Sequence, residues 1–438
     1  MIVAERAGQK HVAKATPRGW SIWGVAALFY LYEFFLRAAP SSMEPELQRS
    51  FHLSAAELGT AIGIFYYWIY SPVQLIAGSF LDRFGARAVL VPAALICTLG
   101  CFLEIMGHSV FWLSAARFCQ GLGSAFAFVG TMYLAAEWFP GAMLGRLSGL
   151  TTALGMLGAI IGNAGISHVV QTLGWHVALV VAGFLGILVT ALLFLVVPRD
   201  VRWRQTEAEK AALPRGPSLL QALKITYSNP QSWYAGIAGM ALYMPLSILG
   251  ALWGVEYIIS ITGGTKDSAA WAVSMMYFGW LFGGPIAGWY SDRTGIRRNL
   301  LLGAGVMTLL TTLAIAFIPH ISPTGACFLM LFLGFASTSQ VVCFVTAMEH
   351  NPPAVAGTAI AATNMIIMLL GGMGEWAFGL LLDWFAGGHL DQGGYPESAY
   401  RRAFLLLPVI SALGVAAAFL LQEARRKKEI PPGPEPIA

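Results

Sequence analysis

The sequence predicts an all-α membrane protein in which twelve transmembrane helices form two pseudo-symmetric six-helix bundles. Of its 438 residues, 57% are hydrophobic and only 11% are charged, whereas about a quarter of the residues in a soluble domain are charged. The chain also contains apolar runs of the roughly 20 residues that a helix needs to cross a bilayer. Segments of about ten residues with alternating polarity, which a transmembrane barrel would require, are not seen.

Six apolar runs lie in each half of the chain. The second helix is predicted to begin near Ser54, because Ser54 and Glu57 have the spacing of a capping box. The second and eighth helices are aromatic at mid-depth, where Tyr67 and Tyr277 occupy matching places. The predicted spans are residues 19–40, 56–80, 88–107, 111–136, 145–169, 175–197, 234–258, 269–290, 299–319, 324–346, 357–382 and 402–421.

The pattern divides the chain into five parts. Between the two halves, nine charged residues lie from Arg199 to Lys224, which predicts a linker with some amphipathic helix at 206–213. The tail beyond Glu423 is basic and then rich in proline, as disordered segments are. The parts are an N-terminal tail at 1–18, a bundle at 19–197, a linker at 198–233, a bundle at 234–421 and a disordered tail at 422–438.

Positive charge is distributed unevenly between the two sides of the predicted helices. With the N-terminus in the cytoplasm, 20 of the 26 Lys and Arg residues lie on the cytoplasmic side. The positive-inside rule therefore predicts a multi-pass protein of a bacterial inner membrane with both termini and the linker in the cytoplasm. The first 18 residues lack an apolar core, so no cleavable signal peptide is expected. The four basic residues on the outer side are Arg49, Lys266, Arg401 and Arg402.

A polar motif, G-x-x-x-D-R-x-G-x-R, follows the second helix and returns 210 residues later after the eighth. One short motif is weak evidence, but its recurrence at a fixed offset indicates an internal repeat. Repeated halves in a hydrophobic chain are the plan of secondary transporters. The motif residues are Gly78, Asp82, Arg83, Gly85 and Arg87 in the first copy and Gly288, Asp292, Arg293, Gly295 and Arg297 in the second.

Over nearly its whole length the chain resembles the major facilitator superfamily. The first motif matches the family's loop signature except that Ala86 stands where its first arginine is usual, and Arg117, Gln120 and Gly121 match its R-x-x-Q-G pattern. The resemblance implies two bundles around a central cavity. At the subfamily level the chain is loosely similar to organic-acid and organophosphate permeases and to bacterial relatives of lysosomal dipeptide transporters.

The resemblance also implies a role for the two motif aspartates. Asp82 would face the start of the eleventh helix near residues 357–358, and Asp292 would face the start of the fifth near Gly145. Carboxylates there would accept hydrogen bonds from unpaired N–H groups and lock the cytoplasmic side while the outer side is open. The alternative is that both loops are solvated positive-inside turns.

The main candidates for function are four charged residues within the spans, Glu33, Arg37, Arg117 and Glu375. Tyr30, Glu33 and Arg37 share one face of the first helix. Arg37 is expected to grip an anionic group of a solute with Glu33 as its counter-ion, or the two form a purely structural pair. Arg117 either binds the solute or pairs with Glu104 to pack helices. Two arginines favour an anionic or zwitterionic solute, because the planar guanidinium can bind a carboxylate or phosphate with two hydrogen bonds.

Two acidic residues within the spans could carry protons. Glu375 lies in a glycine-rich part of the eleventh helix and is one candidate, with Glu33 the other. Glu375 could instead cap a helix break permitted by the glycines. The uncharged candidates for solute contact are Tyr30, Tyr67, Gln120, Tyr277, Gln340 and Asn364, although such side chains often serve only as interhelical hydrogen bonds.

The expected function is secondary active transport of a small organic solute by alternating access, most simply proton-coupled uptake by a monomer surrounded by lipid. There is no phosphate-binding loop, no H-E-x-x-H and no clustered Cys and His, so no enzyme activity, metal or cofactor is expected. Basic residues flank the spans, which excludes a nucleic-acid partner. A drug exporter or a non-transporting solute sensor remains an alternative, although Asn163 follows Gly162 where the exporter signature has proline.

Overall fold

The computed structural model describes residues 15–107, 109–140, 143–199, 217–387 and 395–423, and its regular elements in these ranges are all helices. Most of both predicted tails and the proposed amphipathic helix at 206–213 lie outside the described residues. Within the described ranges, twelve long helices form two bundles of six. They are α1 (Pro17–Ser42), α2 (55–84), α3 (Ala86–Met106), α4 (Val110–Trp138), α5 (Leu144–Leu173), α6 (Trp175–Val196), α7 (Pro230–Thr262), α8 (Lys266–Thr294), α9 (Arg298–Phe317), α10 (Pro323–Glu349), α11 (Pro353–Phe385) and α12 (Glu397–Leu420).

Within the described residues, ten of these helices are long and apolar enough to cross a membrane. The other two, α2 and α8, are as long but end in the polar motif. Two short helices that the apolar pattern does not reveal, Glu44–Phe51 and Leu219–Ser228, lie beside α1 and before α7.

Local capping explains where several helices begin. The Ser54 hydroxyl accepts a hydrogen bond from the N–H of Glu57 at 3.3 Å, and the Glu57 carboxylate accepts one from the N–H of Ser54 at 3.0 Å. The predicted capping box at the start of α2 is therefore confirmed. Helix α7 begins at Pro230, four residues earlier than its apolar run, because Asn229 caps it and proline suits the first helical position.

Several long helices are locally widened or tightened instead of being regular throughout. Wide π-type turns occupy Thr60–Ile64 of α2, Ile161–Gly165 of α5 and Leu246–Trp253 of α7. Helix α1 ends in a tight 3₁₀ turn at Ala39–Ser42. Such turns leave backbone carbonyls without their regular helical partner, and in a membrane these groups need another donor.

The bundles meet differently at their two ends. We call the end that carries residues 78–87 and 288–297 the motif end, and the other the opposite end. At the opposite end α2 and α11 touch backbone to backbone: a Cβ on Gly59 would lie 2.8 Å from the carbonyl oxygen of Glu375, and one on Gly379 would lie 2.3 Å from that of Ala55. At the motif end, a Cβ on Gly78, Gly145 or Gly288 would meet nothing within 4 Å. The bundles are thus closed on each other at the opposite end.

Replacing Gly59 with alanine should lower the stability of this packing by about 1–3 kcal/mol, because the added methyl group meets backbone atoms that cannot rotate away. The measurement is the melting temperature of the purified protein in detergent. Gly24→Ala on α1, where a Cβ has open space, is the matched control and should melt at or slightly above the parent temperature. Equal melting temperatures for both variants would contradict the close contact of α2 with α11.

Candidate functional site

An ion pair on α1 forms the centre of the candidate site. The guanidinium of Arg37 contacts the Glu33 carboxylate one turn away, and both side chains are buried, with Glu33 fully shielded from solvent. Tyr66 on α2 joins them: its hydroxyl donates to Glu33 Oε1 at 2.8 Å and accepts from Arg37 Nε at 3.3 Å. The predicted pair therefore exists, and it is extended by a tyrosine.

The guanidinium of Arg37 is surrounded by aromatic rings. Their centroids lie 4.6 to 5.8 Å from its Cζ atom, the distance range of cation–π attraction. These rings replace part of the hydration that the cation loses on burial. The rings belong to Phe34, Tyr66, Tyr67 and Tyr70.

Arg37 also reaches the other bundle. Its Nη1 atom lies 3.5 Å from the hydroxyl of Tyr243 on α7, and that hydroxyl lies 3.1 Å from the hydroxyl of Tyr67 on α2. The cation therefore lies at the boundary between the two halves. Its contact with Tyr243 would change if one bundle moved against the other.

Glu375 on α11 is buried one layer closer to the opposite end. Its Oε1 atom accepts a hydrogen bond from Ser247 Oγ at 2.7 Å, and a Cβ added to Gly63 of α2 would lie 2.6 Å from its Oε2 atom. It too lies between the bundles. Helix α11 is continuous from Ala356 to Phe385, so the alternative in which Glu375 caps a helix break is wrong.

Arg117 on α4 faces the interior of the N-terminal bundle. It donates to the carbonyl oxygens of Leu36 at 3.1 Å and Ile62 at 3.3 Å, near the tight turn of α1 and in the wide turn of α2. It also donates to Gln120 Oε1 at 2.6 Å, and Gln120 in turn donates to Glu104 at 3.3 Å. The amide of Gln120 thus lies between Arg117 and Glu104, in place of the direct pair that was the alternative.

The remaining predicted side chains are distributed around this centre. Tyr30 packs its ring against Phe34 and Phe128 within the N-terminal bundle. Tyr277 on α8 and Gln340 on α10 are buried. The Tyr277 hydroxyl lies beside Gly250 of α7, whose carbonyl accepts a hydrogen bond from Asn163 of α5 across the bundle boundary. Asn364 on α11 donates to Gln74 on α2, so this amide pair bridges the bundles. The inter-bundle cluster contains four of the predicted residues, Glu33, Arg37, Tyr67 and Glu375. Tyr30 lies outside this cluster.

Tyr243 and Ser247 form the C-terminal side of the cluster, and neither is among the residues predicted from the sequence. A signal for both was present in the repeat. At the motif offset of 210 residues, Tyr243 is the repeat equivalent of Glu33, and Ser247 is the repeat equivalent of Arg37. The two bundles therefore present different chemistry at matching positions, an ion pair on α1 and two hydroxyls on α7.

The motif loops are held within their own bundles. Arg297 of the second motif pairs with Glu349 at the end of α10 at 3.1 Å, and its backbone N–H donates to Glu423 at 3.0 Å. In the first motif Arg87 lies over the ring of Phe194, 4.2 Å from its centroid. The expected contacts of Asp82 with the start of α11 and of Asp292 with the start of α5 stay predictions.

A family profile described as Major Facilitator Superfamily matches residues 25–375 of this chain. The chain belongs to the major facilitator superfamily. It is accordingly a transporter of small organic solutes, an integral multi-pass membrane protein with the twelve-helix fold of the superfamily, and not an enzyme.

Two curated proteins are informative relatives. The chain is 26% identical over 432 residues to the membrane sensor protein UhpC of Salmonella typhimurium, an alignment that covers 92% of this chain and 94% of the relative. It is 30% identical over 162 residues to the probable sulfoacetate transporter SauU of Cupriavidus necator, which covers 37% of each chain.

A solved structure of the superfamily has the same fold. It is the crystal structure of a bacterial homolog of the human lysosomal transporter Spinster, in an inward-facing and unoccupied conformation. The two chains superpose with a TM-score of 0.73 at 16% sequence identity, covering 93% of this chain and 97% of the other.

Arg37→Gln should lower the stability of the empty protein by about 3–5 kcal/mol, because it leaves the fully buried Glu33 carboxylate without its counter-charge. The double variant Glu33→Gln with Arg37→Gln should recover most of that loss, since neither charge then remains. Thermal unfolding of the purified variants measures both effects. If the double variant is no more stable than the single one, the two charges do not neutralise each other.

Proposed function

We propose that this protein takes up a small organic anion together with protons across a bacterial inner membrane, by alternating access. The observation that carries the proposal is the place of Arg37, a guanidinium bound to Glu33 within one bundle and in reach of Tyr243 in the other. The motif end would face the cytoplasm, as would both termini, and the opposite end would face outward.

The solute would bind by exchanging ligands at Arg37. In the empty site Glu33 neutralises the cation. Glu33 contacts the guanidinium through Oε1, whereas an incoming carboxylate, sulfonate or phosphate can offer it two oxygens and so replace Glu33 there. The hydroxyls of Tyr67 and Tyr243, which lie on opposite sides of the bundle boundary, would donate to the same anion and bring the two halves together around it.

Proton coupling follows from the charges. Once an anion holds Arg37, the Glu33 carboxylate is left in a buried site without a counter-charge, which is costly unless a proton neutralises it. Glu33 would therefore accept a proton as the anion binds, and Glu375, buried between the bundles beside Ser247, would be the next proton carrier. The anion and the proton would enter together and leave together.

A sensor is the second candidate, since the chain aligns along nearly its full length with a protein named as a membrane sensor. A sensor would bind its solute at Arg37 without flux. The exporter alternative is weakened by Asn163, which occupies the place of the exporter proline and donates to the carbonyl of Gly250 in the other bundle at 2.9 Å.

Uptake into proteoliposomes tests the proposal. The panel would contain small carboxylates, sulfonates, sugar phosphates and dipeptides, each with and without an inward proton gradient. We expect at least one anion to accumulate only when the gradient is present. Binding without accumulation supports the sensor, and accumulation of neutral or cationic compounds overturns the anion proposal.

Arg37→Lys should weaken binding of the transported anion about tenfold to hundredfold, because an ammonium keeps the charge but loses the two-pronged hydrogen bond. The rise in melting temperature with increasing anion concentration gives the affinity. Arg402→Lys, an exposed arginine near the start of α12, is the matched control and should bind like the parent. An unchanged affinity in Arg37→Lys would show that this guanidinium does not hold the anion.

Glu375→Gln should abolish accumulation driven by the proton gradient while it leaves exchange of labelled for unlabelled solute at a measurable rate. The amide can accept a hydrogen bond from Ser247 as the carboxylate does, but it cannot bind and release a proton at neutral pH. Parallel accumulation and exchange assays on one preparation separate the two effects. Normal accumulation by this variant would remove Glu375 from the proton pathway.

A further inference from the structure

One carboxylate of the C-terminal bundle meets the first turn of α2 at the opposite end. Asp383, near the end of α11, accepts hydrogen bonds from the backbone N–H of Ala55 at 3.0 Å and of Ala56 at 2.8 Å. Tyr395 completes the group: its hydroxyl accepts from the same N–H of Ala55 at 3.0 Å and donates to Asp383. Two side chains of the C-terminal half thus converge on two amides of the N-terminal half.

The physical strength of this contact comes from where it is made. The opening N–H groups of a helix have no partner within the helix, and the helix dipole makes this end positive. An ionised carboxylate that accepts two such N–H groups forms charge-assisted hydrogen bonds, which are about twice as strong as neutral ones. Burial, and then the hydrogen bond to Asp383, raises the pKa of the Tyr395 hydroxyl, so the hydroxyl keeps its proton and remains a donor.

The close approach of α2 and α11 makes the contact possible. Gly379, one turn before Asp383 on α11, packs directly on the backbone of Ala55, where a Cβ would be 2.3 Å from the carbonyl oxygen. A larger residue there would hold the carboxylate away from the amides. Gly379 therefore lets α11 approach α2 closely enough for the Asp383 carboxylate to reach the amides of α2.

The second helix that carries the motif, α8, is also held to the other bundle at its first turn. Asp267 accepts hydrogen bonds from Gln171 at 2.6 Å and Ser167 at 2.9 Å, both on α5, and Lys266 pairs with Glu46 at 2.6 Å. In the 210-residue repeat, the first turn of α8 corresponds to the first turn of α2. Both motif helices are thus tied across the bundle boundary at the end away from their motifs.

We propose that Asp383 is a gate residue, which holds the opposite end of the transporter shut by binding the first turn of α2 and releases it when that end opens. The proposal rests on the alternating access described under the proposed function. Asp82 and Asp292 would serve the motif end of α2 and α8, and Asp383 serves the other end of α2. One helix then has a carboxylate lock at each end, and closing one requires opening the other.

The test measures the opening of this end without any solute. Spin labels would be placed at Leu173→Cys on the N-terminal bundle and His320→Cys on the C-terminal bundle, both exposed at the opposite end, in a chain whose five native cysteines are replaced. Pulsed electron paramagnetic resonance in lipid nanodiscs then gives the distance distribution. In Asp383→Asn we expect the ratio of the longer to the shorter distance population to rise about tenfold.

Two further variants keep the test decisive. Glu397→Gln is the matched control, because it removes a carboxylate at the same end that pairs with Arg401 of its own helix, and its distribution should equal that of the parent. Tyr395→Phe removes one hydroxyl from the gate and should shift the distribution in the same direction by a smaller factor. If Asp383→Asn does not fold, Tyr395→Phe carries the test alone.

An unchanged distribution in Asp383→Asn, or in Tyr395→Phe where that variant carries the test, overturns the gate, and so does an equal shift in Glu397→Gln. The outcome is separable from that of the uptake panel. If no solute is transported but Asp383→Asn still opens this end, the proposed function fails and the gate stands. If uptake is found and the distances do not change, the proposed function stands and the gate fails.

Discussion

The buried cation of Arg37 is the constraint on which the rest of the structure depends. A guanidinium within the membrane is stable only if its charge and its N–H groups are satisfied. Here Glu33 supplies the counter-charge, four aromatic rings surround the cation, and Tyr66 joins the acid to the base. The counter-charge and the rings come from one bundle, and the contact with the other bundle is the 3.5 Å approach of Arg37 Nη1 to the Tyr243 hydroxyl. Under the proposed mechanism the pair would therefore open toward a solute without unfolding either half.

The arrangement of the two ends follows from the same need to satisfy buried polar groups. Wide and tight turns in α1 and α2 leave carbonyls that Arg117 binds, which fixes these helices against α4. At the opposite end, glycines let α2 and α11 touch, and Asp383 then satisfies the first amides of α2. Polar groups inside each bundle hold its helices against one another, and under the proposed alternating access the polar contacts between the bundles would be exchanged.

The sequence predicts the helices and the repeat well because both are set by local composition. Spans of apolar residues, the capping box at Ser54 and the motif offset can all be recognised in the sequence without knowledge of any tertiary contact. The site is harder to predict in this way, since Tyr243, Ser247 and Asp383 gain their importance from residues 128 to 328 positions away. Charge within a span identified Arg37 and Glu375, but a tyrosine in an apolar helix carries no such mark, and only the repeat could have indicated Tyr243.

The central claim is that the site recognises negative charge through Arg37. The most direct measurement compares the binding of one transported carboxylic acid with that of its uncharged amide, by the rise in melting temperature of the wild-type protein at neutral pH. The account predicts that the acid stabilises the protein and that the amide, which has nearly the same shape, does not. Equal stabilisation by both compounds would contradict it, because the site would then recognise shape and leave Arg37 bound to Glu33.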